Sequence, residues 1–236
     1  MLIVPCYNEA KRFRSEYFIE LLKVCDIHIL FVNDGSSDDT LSVLEKFTST
    51  HHKSTVIDLA QNFGKAEAVR IGMLAGFGKG AHVVGFVDAD GAFSVSDIQR
   101  VFHLLEDESD PIINGIIASR VKLRGRNIDR TLARHFLGRV VSTLIGFKYP
   151  NSPYDSQAGL KVFRTSPILF DSLASPFRTR WFVDLELLVR LDSRNFGLIW
   201  EEPLMSWTEI PGGNINLRQF FVIAKEILLI VSGRIA

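Results

Sequence analysis

Asp88 and Asp90, separated by one alanine, follow the apolar run Val83–Val87 and precede Gly91. In an extended segment alternate side chains point the same way, so both carboxylates can address one ion. With no His or Cys beside them they suit a hard, oxygen-seeking cation, Mg2+ or Mn2+, which keeps coordination positions open for water and substrate phosphate oxygens. Bridging a diphosphate, such an ion would neutralise the charge of a departing nucleotide. Asp-x-Asp triplets arise by chance in many chains, and it is placement at the end of an apolar strand that sets this one apart.

Four further polar sets occupy equivalent positions. Asn8 and Glu9 follow Leu2–Pro5, Asn33, Asp34 and Gly35 follow Ile27–Val32, Gln61 and Asn62 follow Thr55–Leu59, and Ser119 and Arg120 follow Ile112–Ala118. The five apolar runs begin 25 to 29 residues apart. That spacing accommodates a strand, a loop, a helix of about three turns and a second loop, so it predicts βαβ units feeding a mostly parallel sheet. All carboxyl ends of such a sheet line one edge, and ligands bind in the crevice outside it. Capping and loop polarity account for Ser36, Ser37 and Ser94. They do not account for Glu9, Asp34, Asp88 and Asp90 gathering on one edge, where like charges repel unless a cation or ligand compensates.

A chain of 236 residues, 47% hydrophobic and 23% charged, is enough for one sizeable core and is read as a single domain, 1–236. Its 27 basic and 27 acidic side chains exclude a nucleic-acid binder driven by bulk positive charge. The zero is a cancellation: residues 1–117 hold 10 basic and 17 acidic side chains, residues 118–236 the reverse, 17 and 10. Cys6 and Cys25 are too few for a thiolate metal site or a disulfide framework, which points to a reducing, cytoplasmic compartment. No stretch reaches eighteen uninterrupted apolar residues and no secretion signal is recognised, so the chain is expected neither to cross a membrane nor to be exported.

The positive half begins with Arg120, Lys122, Arg124, Arg126, Arg130, Arg134 and Arg139, opposed within that stretch only by Asp129. From Ile128 onward the spacing predicts a helix whose stripe of Leu132, Phe136, Val140 and Leu144 runs beside Arg130 and Arg134. Ala158–Phe163 reads as a strand, Phe182–Arg194 and Ile215–Val231 as helices. The basic helix and the apolar terminal helix suit a protein lying peripherally on an anionic membrane surface. Packing on the core, or a homo-oligomer interface, is the competing use of the same surfaces. Asp184 and Glu186, two apart on one helix, face different ways, and Asp184 is taken as the one directed at the site. Lys65 is either a first-turn helix residue or a phosphate or nucleotide contact.

Seven segments resemble, in order, the motifs of family 2 glycosyltransferases. The first four are Pro5-Cys6-Tyr7-Asn8-Glu9, Val32 to Asp38, Asn62-Phe63-Gly64-Lys65 with Ala68 and Gly72, and Val87-Asp88-Ala89-Asp90-Gly91. Ala118-Ser119-Arg120, Asp155 to Phe163 and Trp181 to Glu186 narrow the resemblance to the polyprenyl-phosphate (dolichyl-phosphate) glucosyl- and mannosyltransferases, with the last two nearest the glucose branch. The resemblance spans residue 3 to about 210. It implies a GT-A, Rossmann-like fold, a nucleotide-sugar donor, a divalent cation, an isoprenoid phosphate acceptor and inversion at the anomeric carbon. It also implies roles: Pro5, Tyr7 and Glu9 at the nucleotide, Asp34 on the base, Asp88 against ribose and diphosphate, and Asp90 as main metal ligand. Arg120, with Ser119 beside it and Arg130 or Arg134, would meet the acceptor phosphate, while Asp155, ahead of Gln157, would be the catalytic carboxylate.

A lipid phosphate is already an anionic nucleophile and needs positioning more than deprotonation. The acidic half then serves metal and donor, and the Arg-rich half counters the acceptor phosphate. A uridine diphosphate glucose donor is favoured, guanosine diphosphate mannose being the other candidate. Two alternatives stand. A soluble or saccharide hydroxyl acceptor would require Asp155 or Asp184 as a true base, and a catalytically silent nucleotide-sugar-binding protein would require neither.

Overall fold

The computed structural model describes residues 1–106, 112–129, 153–210 and 217–232, with single positions 142, 143, 146 and 149 between them. Arg130, Arg134 and the apolar stripe Leu132, Phe136, Val140 and Leu144 lie outside the described residues.

The first half alternates as its spacing predicts. Strands β1 (Leu2–Cys6), β2 (Ile29–Asn33), β3 (Ser54–Asp58), β4 (Val83–Val87) and β5 (Ile113–Ser119) are separated by helices α1 (Ser15–Val24), α2 (Thr40–Thr50), α3 (Lys65–Gly78) and α4 (Val95–Glu106). There follow β6 (Asn127–Asp129), β7 (Leu160–Arg164), α5 (Pro167–Leu173), α6 (Val183–Asp192), β8 (Leu198–Pro203), β9 (Ser206–Thr208) and α7 (Leu217–Val231). Seven strands form one sheet in the order β3-β2-β1-β4-β7-β5-β8. All its pairings are parallel except those of β7, which runs antiparallel between β4 and β5. The inversion has a consequence for the site: the start of β7, and the turn leading into it from Asp155, lies at the same edge as the carboxyl ends of its neighbours.

Both faces of the sheet are covered, so its strands are continuous apolar runs whose alternate residues enter two cores. Val4, Phe31, Val87 and Val162 pack with Phe18, Leu21 and Phe102 of α1 and α4. Ile3, Leu30, Phe86 and Phe163 pack with Val69 of α3, Leu169 of α5 and Leu187 of α6. Phe13, Phe18, Phe31 and Phe47 stack and cross edge to face with centroids 5.0–6.2 Å apart, and each buried ring of this kind contributes about 1.5–3 kcal/mol.

Two expectations need correction. The helix read from Ile128 onward does not begin there: Ile128 is the centre of β6, pairs with Trp207 of β9 and is buried. A buried β-branched residue with a cross-strand aromatic partner overrides a helical spacing continued from later residues. Ser36 and Ser37 do not cap α2. Ser36 Oγ accepts the Asn8 amide at 3.0 Å and the Ser37 amide donates to Asn8 Oδ1 at 2.9 Å, tying the β1 and β2 loops together. Ser94 does cap α4, accepting the Asp97 amide at 3.1 Å.

Helix α7 is docked through a buried acid. Glu226 accepts the amides of Arg180 and Trp181 at 2.8 and 3.1 Å, and Ile230 packs with Phe182, Leu185 and Val189. Part of the apolar surface expected at a membrane is therefore used against α6, while Leu228 remains exposed. Among the described residues no helix is long and apolar enough to cross a membrane.

Candidate active site

Asp34 closes β2 and is buried. Its carboxylate accepts the amides of Phe63 and Gly64 at 2.8 Å each and Asn62 Nδ2 at 3.0 Å. Burial pushes this carboxyl up, against the pull of the two amides. The acid thereby fixes the turn in which Gly64, at φ +103°, swings the chain into α3. Lys65 is the next residue, and its Nζ lies 2.5 Å from Asp88 Oδ1. Burial alone would lower the Lys65 ammonium, but Asp88, with Asp184 and Asp90 behind it, holds it above the ordinary range. The two open readings of Lys65 thus meet: it starts the helix and it reaches the site.

Asp90 accepts the Ala92 amide at 3.0 Å, and burial together with the charge of Asp88 raises its carboxyl. Glu9 is raised too, mainly by burial, with Asp90 and Asp88 adding and Arg12 opposing. One Glu9 oxygen pairs with Arg12 at 2.5 Å while Oε2 is buried without a partner among the described residues. Among the described residues no group of three or more metal-ligating side chains is close enough to hold an ion unaided. The protein supplies a carboxylate pair, and the chemistry of that pair, crowded and raised at Asp90, fits Mg2+ or Mn2+ completed by diphosphate oxygens and water. Pro5 and exposed Tyr7 lie at the end of β1 beside this cluster.

Ser119, buried, ends β5, and Arg120 follows it. Both Arg120 Nε and one terminal nitrogen donate to Asp155 at 2.8 Å, the Arg120 amide adds a third bond at 2.9 Å, and the guanidinium lies 5.3 Å over Trp207. Burial opposes the charge, but Asp155, with Asp88 and Asp184 more distant, holds Arg120 above its ordinary range. In the same turn, Ser156 Oγ and Gln157 Nε2 are buried without partners among the described residues. Gly159, which opens β7, sits so close to Asp88 that an added Cβ would overlap Oδ2.

Asp184 and Glu186 separate as their spacing predicts. Glu186 accepts the Arg178 and Thr179 amides and pairs with Arg190, all structural. Asp184 pairs with Lys161, a fully buried lysine of β7 that also donates to the Ala158 carbonyl at 2.6 Å and lies 5.6 Å over Phe86. Burial lowers the Lys161 ammonium despite this partner. Two further residues of the edge are not among those the sequence singles out: Lys161, and Glu201, whose carboxylate accepts the Tyr154 and Asp155 amides at 2.8 Å each. A lysine flanked by Leu160 and Val162 in an apolar strand was the available signal for the first; Glu201 offered none. The edge therefore carries Lys65, Lys161 and Arg120 interleaved with Asp88, Asp184 and Asp155.

Similarities to known proteins bear on this arrangement. The chain is 33% identical over 231 residues to the dolichyl-phosphate beta-glucosyltransferase of Drosophila melanogaster, covering 91% of this chain and 68% of that one. A dolichyl-phosphate beta-glucosyltransferase of Trichomonas vaginalis is 29% identical over 245 residues, 97% of this chain and 71% of that one. Glucosyl-3-phosphoglycerate synthase from Mycobacterium tuberculosis, crystallised with Mn2+, UDP-glucose and phosphoglyceric acid, superposes with a TM-score of 0.70 at 16% identity, covering 99% of this chain and 78% of that one. At that identity the likeness shows the fold, that of the GT-A glycosyltransferases. The model of glycosyl transferase family 2 matches residues 1–169, every strand from β1 to β7 with the edge they build, and the chain belongs to that family.

Proposed function

We infer that the chain transfers glucose from UDP-glucose to a polyprenyl phosphate of the dolichyl type, with inversion, working as one catalytic domain at the cytosolic face of a membrane. The names of the two relatives support the glucosyl group and the lipid acceptor. The observation that carries the acceptor class is the state of the two carboxylates a hydroxyl acceptor would need. Asp155 is held on both oxygens by Arg120 and Asp184 is paired with buried Lys161. Neither is placed to abstract a proton, and a phosphate nucleophile asks for none. A fixed guanidinium beside them is what such a nucleophile does require.

Asp90, with Asp88, would hold Mg2+ or Mn2+, which when bound offsets charge on the donor diphosphate. Glu9 Oε2 is a buried acceptor suited to a ribose hydroxyl, with Pro5 and Tyr7 flanking the base. Asp34 acts through the turn it holds, which delivers Lys65 to the diphosphate. Ser156 and Gln157, whose buried donors have no partner among the described residues, would meet the sugar. Arg120, set by Asp155, receives the acceptor phosphate next to Ser119. Incubation with labelled UDP-glucose or GDP-mannose, Mn2+ and dolichyl phosphate, followed by organic extraction, tests this. Label from UDP-glucose in the lipid phase is expected, and none from either donor overturns the reading.

A further inference from the structure

We propose that an apolar groove between α6 and β8 receives the first isoprene units of the acceptor, leading the chain away from the phosphate at Arg120; this rests on the lipid-phosphate reading above. The groove encloses about 640 Å³ and its walls include Ile117 of β5, Leu185, Leu188 and Val189 of α6, and Phe196 and Leu198. That volume lies within the range, about 300–1,000 Å³, of pockets that enclose small ligands.

Direction argues for this occupant. Glu201, at the upper end of the groove, pairs in register with Ile117 near the carboxyl end of β5. Its carboxylate holds the Tyr154 and Asp155 amides, and Asp155 holds Arg120, so one short loop joins the groove to the cation. From Glu201 back to Leu198 the strand descends roughly 10 Å, and from Leu185 to Asp192 the helix descends roughly 10 Å. Both walls thus lead away from the site edge over equal lengths.

Charge argues the same way. Among the described residues the charged side chains lining the groove, Asp192 and Glu201, are both acids, and Tyr149 and Tyr154 add neutral hydroxyls. An anionic nucleotide or phosphosugar would be repelled, whereas a branched hydrocarbon fits walls of branched aliphatic side chains. Leu198 is 46% exposed and Tyr154 47%, leaving apolar surface uncovered at the two ends of the groove.

The test uses Leu188→Trp, which fills the groove, and Leu198→Glu, which charges its exposed end; neither is among the donor, metal or phosphate residues named above. With dolichyl phosphate in detergent, both should raise the acceptor KM about tenfold and leave kcat and the UDP-glucose KM unchanged. An unchanged acceptor KM in both overturns the groove while the transferase reading stands. Should Leu188→Trp fail to fold, the surface variant Leu198→Glu decides. A farnesyl phosphate carrying a terminal diazirine, photolysed on the wild-type protein and mapped by mass spectrometry, gives a readout independent of turnover. Label on the segments bearing Leu188 and Leu198 supports the groove even if glucose transfer fails and the functional reading falls; label confined elsewhere overturns it.

Discussion

Asp155 grips Arg120 at three points, accepting from two guanidinium nitrogens at 2.8 Å each and from the Arg120 backbone amide at 2.9 Å. The cation is thus ordered before any substrate arrives, and the side-chain freedom that phosphate binding would remove has already been lost on folding. Asp155→Asn, which presents an amide donor to the guanidinium, should lower kcat/KM for the acceptor about 100-fold through misplacement of Arg120. Arg120→Ala should do the same, and the double variant should be little worse than either single one. A double-mutant cycle on acceptor kcat/KM measures this, and additive losses would show that the two side chains act separately.

Gly159 and Asp88 are related by space. A Cβ at Gly159 would overlap Asp88 Oδ2, and the overlapped atoms are the mobile end of a short side chain rather than backbone. Gly159→Ala should therefore change stability by less than about 1 kcal/mol yet lower turnover about 100-fold, because the carboxylate must leave the position in which Lys65 holds it. Thermal melts beside transfer assays separate the two effects.

Asp90 carries the complementary expectation. Burial and then the charge of Asp88 disfavour its ionised carboxyl in the metal-free protein, and Asn at this position keeps the acceptor for the Ala92 amide. Asp90→Asn should raise the melting temperature in chelator by about 2 °C while abolishing Mn2+-dependent UDP-glucose binding in calorimetry. Retained metal-dependent binding would remove Asp90 from the ligand set.

What the sequence disclosed about this site depended on distance along the chain. The Asp88–Asp90 pair, the strand before it and the loop sets at the parallel strand ends were legible because each is local, an apolar run followed by its own polar residues. The direction of β7 was not, since alternation of side chains is the same in either sense. Lys161 was overlooked because its partner Asp184 stands 23 residues away on another element, and Glu201 because the amides it holds are 46 and 47 residues distant. Ile128 was misassigned for the same reason, its strand partner Trp207 lying far downstream.

Asp97 supplies an acid-sensitive support. It is fully buried; burial alone would raise its carboxyl, but Arg100, the Met205 and Ser206 amides and the Ser94 hydroxyl outweigh that and hold it below the usual range. The unfolded state then takes up the proton first as pH falls, so the contribution is complete above about pH 4 and lost as pH drops toward the native value. Asp97→Asn should cost about 3 kcal/mol at pH 7 and flatten the acid limb of stability. Urea unfolding at pH 7 and pH 3.5 checks both, and an equally steep limb in the variant would place the sensitivity elsewhere.

Lys161 and Asp184 allow structure and function to be separated at one pair. Both are buried, so removing either leaves an uncompensated charge, and Lys161→Met should lower stability by about 3–5 kcal/mol. Replacing the pair by apolar residues of similar size commonly restores stability, so Lys161→Met with Asp184→Leu should melt near the wild-type temperature. Activity should not return with it. The pair's charges act on Lys65 and Arg120, both of which interact electrostatically with Asp184, and an apolar substitute cannot hold those cations in the same balance. The decisive measurement is transfer by the double variant at a temperature where it is fully folded. A loss of about tenfold or more assigns the pair to the electrostatics of the edge, whereas wild-type turnover would reduce it to a packing element beneath the site.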